Sequence, residues 1–426
     1  MTRPFKLLVF LVVLLLVSGG SLVAVWAQRD DENPVTILGP WTDTEEEHFE
    51  AVLRELGIPF DYQGTAAQRE VLLSKVQAGE PPDIAIMPGV GELAEYAGQR
   101  LLQPLDDLVD EDEYGSPWQS VSRTSDYVYW VPVKADLKSI VWYRPGNKPA
   151  AAPAPMESWC IGMGDAGASG WPGSDWIEDL VLQREGPDIY GKWALGDERV
   201  PWTGDAVRTA WEAWAGLLRQ NRKATGHALR TDRRGDPDED RNGLLFSGRG
   251  GCTLEHQGSF APAFYNEHPV GLADSAPLLP GGPYQVRAHE VTGDFAALFS
   301  DRAPARKLIE KLASAEGQRK WAEFPDVFSA NRLVQPKSGR IGDAIAARLT
   351  GRGPRCLDAS DVMPPALRDA FYEATLLTMA RIAAGEDPDI PHLLADLQNI
   401  KRSQPTNSAS LRTVCSSASK GARGSA

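Results

Sequence analysis

At 426 residues, 42% of them hydrophobic and 24% charged, the chain has a globular composition and enough length for two domains. Its formal net charge of −14 excludes the basic footprint on which nucleic-acid binding depends. Forty Gly and 32 Pro predict many turns.

From Leu7 to Ala27 run 21 residues without a charge, preceded by Arg3 and Lys6 and followed by Arg29-Asp30-Asp31-Glu32. Residues 1–27 read as a signal peptide, with Val25-Trp26-Ala27 before a possible cut, or as an uncleaved anchor of about 31 Å. Ser18-Gly19-Gly20-Ser21 interrupts the apolar run and favours cleavage; no Cys follows to carry a lipid. Removing the leader leaves a net charge of −16. Either reading puts the body outside the cytoplasm, periplasmic or at the cell surface.

A strand is expected at Val35–Leu38, ending in Gly39-Pro40-Trp41-Thr42-Asp43. Thr42-x-x-Glu45 has the form of a capping box, and Phe49, Val52, Leu53 and Leu56 follow at helical spacing. The Glu45-Glu46-Glu47 run suits a helix's first turn, where the macrodipole favours acids. Ile58–Tyr62 reads as a strand, Val71–Val76 as a helix stopped by Gly79, and Pro82–Met87 as a buried strand. This alternation predicts a parallel α/β sheet. Two strands are expected in Tyr127–Tyr143, with a crossing to a second lobe near the Pro- and Ala-rich stretch 145–155. Val207, Trp211, Trp214 and Leu218 mark an amphipathic helix, and 231–242 a polar loop. From Gly293 onward helices are expected, carrying Phe295, Leu298 and Phe299, then Leu308, Ile309 and Leu312, then Phe371, Leu376, Leu377 and Met379. Residues 403–426 read as a disordered tail. No internal repeat is evident.

An oxidising compartment makes the four Cys disulfide candidates. Pairing Cys160 with Cys252 would close a loop of about 90 residues and contribute roughly 4 to 5 kcal/mol. Cys356 and Cys415 form the other candidate pair, the alternative being a buried free thiol at Cys356.

Several motifs fail on context. Gly162-x-Gly164-x-x-Gly167, with Asp188 downstream, matches a dinucleotide fingerprint, but export and Trp171-Pro172 argue for a Gly-rich loop. Six scattered His and no Gly-Lys-Ser/Thr loop argue against zinc and bound ATP. Asp238-x-Asp240-x-Asn242-Gly243 begins like a calcium loop but has Arg249 at the twelfth position. No cofactor or metal is expected. Trp41 and Trp171 lie in Gly- and Pro-rich loops, where indole faces can stack on sugar rings and nearby carboxylates accept hydroxyl protons.

Taken in order, several segments resemble the bacterial ABC-transporter solute-binding proteins of the carbohydrate class, in the α-glucoside branch. They are Gly39-Pro40-Trp41-Thr42-x-Thr44-Glu45-Glu46, Pro82–Pro88, Lys134-x-x-Leu137–Tyr143, Trp159–Gly162, Ser169-Gly170-Trp171-Pro172-x-x-Asp175–Asp179, Gly293-Asp294-Phe295 and Leu357–Pro364. One departure is Glu255-His256-Gln257-Gly258-Ser259-Phe260, where the branch has His-Arg-Gln-Ala-Ser-Phe. Another is Cys356, where it usually has an aromatic.

The resemblance implies two α/β lobes around a hinged cleft, with lobe one at 33–142 plus 290–338 and lobe two at 146–286 plus 340–400. Cys160 and Cys252 then share a lobe. Ligand contacts are expected from Trp41 (partly exposed at the cleft), Thr42, Asp43, Asp83, Lys134, Trp171, Asp175, His256, Asp294 and Arg332. The implied function is capture of a sugar by a monomer and delivery to a membrane permease, without catalysis. The rival readings are a secreted glycosidase and a binding protein for a noncarbohydrate such as a polyol or phosphodiester, for which Lys134, His256 and Arg332 would supply positive charge.

Overall fold

The computed structural model describes residues 33–118, 123–124, 127–235, 243–247, 251–324, 327–334, 339–351, 353–404 and 413–416. The expected leader, the calcium-like segment 238–249 apart from 243–247, and most of the tail lie outside the described residues. Among the described residues, no helix is long and apolar enough to cross a membrane.

The first sheet is built on β1 (Val35–Gly39), flanked in parallel by β2 (Phe60–Gly64) and β3 (Ile84–Met87). A short hairpin of β4 (Arg123–Thr124) and β5 (Tyr127–Val128) precedes β6 (Trp130–Leu137), and β7 (Ile140–Tyr143) follows two residues later. β7 joins β8 (Leu254–His256) and β9 (Gly271–Asp274) in a separate antiparallel sheet. The chain therefore changes sheets at Lys138-Ser139, ahead of the crossing expected near 145–155. β7 pairs with strands assigned to lobe two, which corrects the sequence-based end of lobe one at 142.

β10 (His289–Leu298) corrects a second expectation: Gly293–Phe299 is largely strand, not helix. Its first residues pair in parallel with β11 (Arg355–Leu357), and its last four pair antiparallel with β3. Along most of its length it is antiparallel to β6. The β6–β10 register shifts between Asp294 and Phe295, next to Pro132, a residue that tolerates such an interruption because it has no N–H for the ladder. Gly293 is required here: a Cβ would lie 2.5 Å from the Lys134 carbonyl oxygen.

Helix α1 (Asp43–Leu56) buries Phe49, Val52, Leu53 and Leu56, as its spacing predicts. Its capping box does not form. Thr42 occupies the N-cap position without a side-chain cap bond, and Glu45 reaches Lys134 instead. α2 (Gln68–Gln77) and α3 (Val90–Gly98) complete the first α/β layer. On the other side, α4 (Trp171–Glu185), α5 (Pro187–Ala194), α6 (Asp205–Gln220) and α7 (Pro365–Ala384) enclose an aromatic core. There Trp193, Trp202 and Trp211 surround Phe371 at centroid distances of 5.9, 5.0 and 5.6 Å. Trp211 Nε1 donates to Thr378 Oγ1 at 3.0 Å, so the buried indole keeps its hydrogen bond.

Both candidate disulfides are formed. Cys160–Cys252 has Cα atoms 5.3 Å apart, within the expected 4.4–6.8 Å range. Cys356–Cys415 has Cα atoms 4.0 Å apart and holds residues 413–416 against β11. Leu357 N–H donates to Val414 O, and Val414 is fully buried, so part of the expected tail is ordered.

Candidate ligand cleft

The carboxyl ends of β1, β2 and β3 form the edge where open α/β sheets place ligands. Trp41 leaves β1 at that edge but turns inward. It is only 3% exposed and packs on Phe49 at 4.5 Å and Trp321 at 5.1 Å. Its backbone N–H donates to Tyr62 Oη, whose hydroxyl donates back to the Trp41 carbonyl. The expectation that Trp41 is a partly exposed platform is overturned, because core packing takes both its area and its N–H. Beyond it, Thr42 is half-buried and Asp43 exposed.

Lys134 and Asp294 face each other on β6 and β10. Trp41 Nε1 donates to Asp294 Oδ2 at 3.2 Å. Burial raises the Asp294 carboxyl to about 7; Lys134 opposes this, while Asp136 and Glu45 reinforce it. Lys134 is itself buried and ion-paired with Glu45 and, at 3.8 Å, with Asp136. Burial alone would lower its pKa, but Asp136 and Glu45 hold it above the ordinary value.

Alternation along β6 gives Lys134 and Asp136 a common face, and Lys138 follows just past the strand's end. Lys138 Nζ lies 2.9 Å from Asp175 Oδ1 and 2.6 Å from Asp358 Oδ2, all three residues buried. Asp175, Glu178 and Asp358 bring carboxylate oxygens within 4.8 Å of one another, a grouping of the kind that holds metals. Here the Lys138 ammonium already bonds two of them and supplies the cation. Burial pushes Asp175 up to about 7 despite Lys138, whereas the same lysine holds Asp358 down at about 2. Glu178 is raised well above the usual carboxylate range by burial and by Asp358. Glu290 accepts from Ser139 Oγ at 3.1 Å and Tyr190 Oη at 2.7 Å.

Trp171 opens α4 and stays part-exposed. Its Nε1 donates to Asp165 Oδ2 at 2.7 Å, and Lys138 Nζ sits 4.7 Å from its ring centroid. The segment holding Asp165 is where the glycines act. A Cβ on Gly162 would lie 2.4 Å from the Asp232 carbonyl oxygen, and Arg233 N–H donates to Gly164 O at 2.9 Å. These glycines permit backbone contact with 231–233, which agrees with a Gly-rich loop rather than a dinucleotide site.

The remaining expected contacts lie apart from this group. Asp83 is at the amino end of β3, accepting from Thr36 N–H at 2.9 Å and from Arg302 Nη1 at 2.8 Å. That location, opposite to the β1–β3 carboxyl edge, identifies Asp83 as a brace. His256 Nε2 lies 2.9 Å from Asp179 Oδ2, and its ring packs on Trp176 at 4.6 Å. Arg332 is exposed; its guanidinium donates to the Asp112 carbonyl and its backbone N–H to Glu113 O. Sequence reasoning named Lys134, Trp171, Asp175 and Asp294 but missed Lys138, Asp165, Glu178, Glu290 and Asp358. The alternating Lys134-x-Asp136-x-Lys138, running from β6 into the connection after it, was an available signal for Lys138.

The model of the bacterial extracellular solute-binding protein family matches residues 56–319. This chain belongs to that family. The solute-binding protein is 30% identical over 376 residues to the alpha-glucosides-binding periplasmic protein AglE of Rhizobium meliloti, covering 78% of this chain and 80% of that one. It is 28% identical over 370 residues to the osmoprotective compounds-binding protein GgtB of Synechocystis sp., covering 79% and 86%. Among solved structures, a chitin oligosaccharide binding protein superposes with a TM-score of 0.67 at 13% identity, covering 88% of this chain and 99% of that one. The maltose-maltodextrin binding protein of Alicyclobacillus acidocaldarius gives 0.62 at 12%, covering 87% and 100%. The expected two-lobed α/β binding-protein fold is therefore the fold of this chain. Membership places its body outside the cytoplasm.

Proposed function

We propose that this protein captures a neutral sugar, an α-glucoside or another oligosaccharide, between its lobes and delivers it to an ABC permease without turning it over. The lobes follow the two sheets, with a boundary at Lys138-Ser139 and β10 in the first sheet. A monomer released from its leader by cleavage fits this reading, although an uncleaved anchor would leave the capture step unchanged.

The observation that carries the reading is the cancellation of charge at the cleft. Lys134 is matched by Glu45 and Asp136, and Lys138 by Asp175 and Asp358. Of the residues that would serve a phosphodiester, His256 pairs with Asp179 and Arg332 donates to backbone carbonyls. Such a site offers hydrogen-bond acceptors to hydroxyl groups and little net positive charge to an anion. The names of the relatives, one for alpha-glucosides and one for osmoprotective compounds, support the same class. A ligand that contacts both lobes only when they approach would favour the closed state, giving a permease a shape to recognise.

The test is calorimetry and thermal shift with maltose, trehalose and sucrose, together with glycerol-3-phosphodiesters. Saturable 1:1 binding of a sugar recovered intact supports the reading; at 100 times the Kd such a ligand adds about 2.7 kcal/mol of stability. Hydrolysis of the sugar would make the protein a glycosidase. Binding confined to the phosphodiester would move it to the noncarbohydrate class.

A further inference from the structure

Arg233 has a buried donor without an acceptor among the described residues. Its side chain is 16% exposed, with Nε 2.8 Å from Asp165 Oδ2. Its Nη1 is buried and has no hydrogen-bond partner among the described residues. Around the guanidinium stand three rings: Phe264 at 5.3 Å, Trp171 at 5.4 Å and Phe260 at 5.8 Å from Cζ. Such faces hold a cation but accept no conventional hydrogen bond. A buried N–H left unpaired is costly, and its acceptor is commonly something absent from the unliganded chain.

Placement makes this donor relevant to binding. Asp165 holds three groups, accepting from Trp171 Nε1 and from Arg234 Nη2 and flanking Arg233 Nε. The indole and the guanidinium are thus held as one unit, and Arg233 cannot leave the ring without exposing the Asp165 carboxylate. Asp165 is kept below the ordinary carboxylate range, since Arg233 and its bond from Trp171 outweigh burial. It stays ionised and holds both partners.

We infer that Arg233 is a specificity-determining residue of the cleft, donating from Nη1 to one oxygen of a neutral sugar ring packed beside Trp171. The inference rests on the sugar-binding reading above and extends it by naming the lobe-two donor. Asp165 lies between Arg233 and, at 2.7 Å, Arg234, and Asp232 stands 3.9 Å from Arg234 Nε, so two carboxylates offset the two guanidiniums and the complementary acceptor is an uncharged hydroxyl or ether oxygen. In this arrangement Trp171 supplies contact area, while Arg233 selects which ring hydroxyl must be present. Asp165 is a positioning residue.

The experiment is a double-mutant cycle between protein and sugar. Affinities are measured by calorimetry for wild type, Arg233→Met and Arg233→Lys, using whichever of maltose, trehalose and sucrose binds wild type most tightly. The same proteins are then titrated with that sugar's monodeoxy analogues. Arg233→Lys retains a cation against the rings and so controls for loss of folding, while circular dichroism melting checks Arg233→Met. The expected result is a tenfold or greater loss for Arg233→Met and for one deoxy analogue on wild type, with no further loss when the two are combined. Full additivity at every position, or wild-type affinity in Arg233→Met, would overturn the role of Arg233 while leaving sugar binding intact. If wild type binds none of the three sugars, the cleft reading fails and takes this inference with it.

Discussion

Trp41 and Asp294, 253 residues apart, are joined by a 3.2 Å hydrogen bond from the indole Nε1 to a carboxylate oxygen, with Trp41 buried and Asp294 half-buried. The bond links the end of β1 to the strand that pairs with β3, β6 and β11. It also converts a residue with the sequence credentials of a ligand platform into a core anchor.

Trp41→Ala is accordingly expected to act on stability first. Removing an indole packed on Phe49 and Trp321 costs about 3–5 kcal/mol, and Asp294 loses a donor as well. Urea unfolding should show the midpoint falling with little change in slope. A variant as stable as wild type would contradict the packing described.

Asp294 also predicts a pH dependence. Its carboxyl releases its proton near 3.8 in the unfolded chain and at about 7 in the folded one. Between those values the folded state binds a proton that the unfolded state does not. This contribution to stability is full below about pH 4 and is lost as pH rises through 7. Between pH 5 and 8 wild type should lose about 2–3 kcal/mol through this group. Asp294→Asn should lose less over the same interval, as measured by urea denaturation at both pH values.

Lys138→Met should be the most damaging single change near the cleft. It strips Asp175 and Asp358 of their shared cation in a fully buried setting, a loss of about 3–5 kcal/mol. Adding Asp358→Asn should restore part of that loss, and the two changes should be strongly non-additive. Simple additivity in chemical denaturation would deny the coupling.

Removing Cys160–Cys252 by double Ser substitution should destabilise the protein by roughly 4–5 kcal/mol, and removing Cys356–Cys415 by about 4 kcal/mol in the chain-entropy model. The second pair gives the sharper local readout. Amide exchange at Leu357, whose N–H donates to Val414 O, should accelerate in that variant while α1 stays protected.

Trp171→Ala is expected to weaken sugar binding by roughly 1–3 kcal/mol and to reduce ligand-induced compaction in small-angle scattering. Normal compaction at saturating sugar would remove Trp171 from the surface that bridges the lobes.

The first α/β layer was legible because its patterns are local. Val35–Leu38 and Ile84–Met87 are short apolar runs bounded by turn residues, and α1 shows a clean 3.6-residue stripe. β10 was not legible for a physical reason. Phe295, Ala296, Ala297 and Leu298 are all buried, so the strand lacks alternation, while Phe295, Leu298 and Phe299 fall at helical spacing by chance. The cleft was half legible. Lys134 and Asp294 could be named as polar residues, but Lys138 gains its meaning from partners 37 and 220 residues away. Trp41 misled because an indole in a Gly/Pro loop has the same one-dimensional signature whether it turns outward or inward.

The β6–β10 pair also has a mechanical consequence. Both strands lie in the first sheet, and β6 runs on through Lys138-Ser139 into β7 of the second, so the ribbon delivers the chain to the junction between the sheets. The register shift between Asp294 and Phe295 is its softest point, because the ladder is interrupted there. Relative rotation of the two sheets would then act on the Lys138-Ser139 connection, where the chain leaves that ribbon. Insertions after Ser139 should loosen the coupling between the two sheets while leaving the β6–β10 ladder paired.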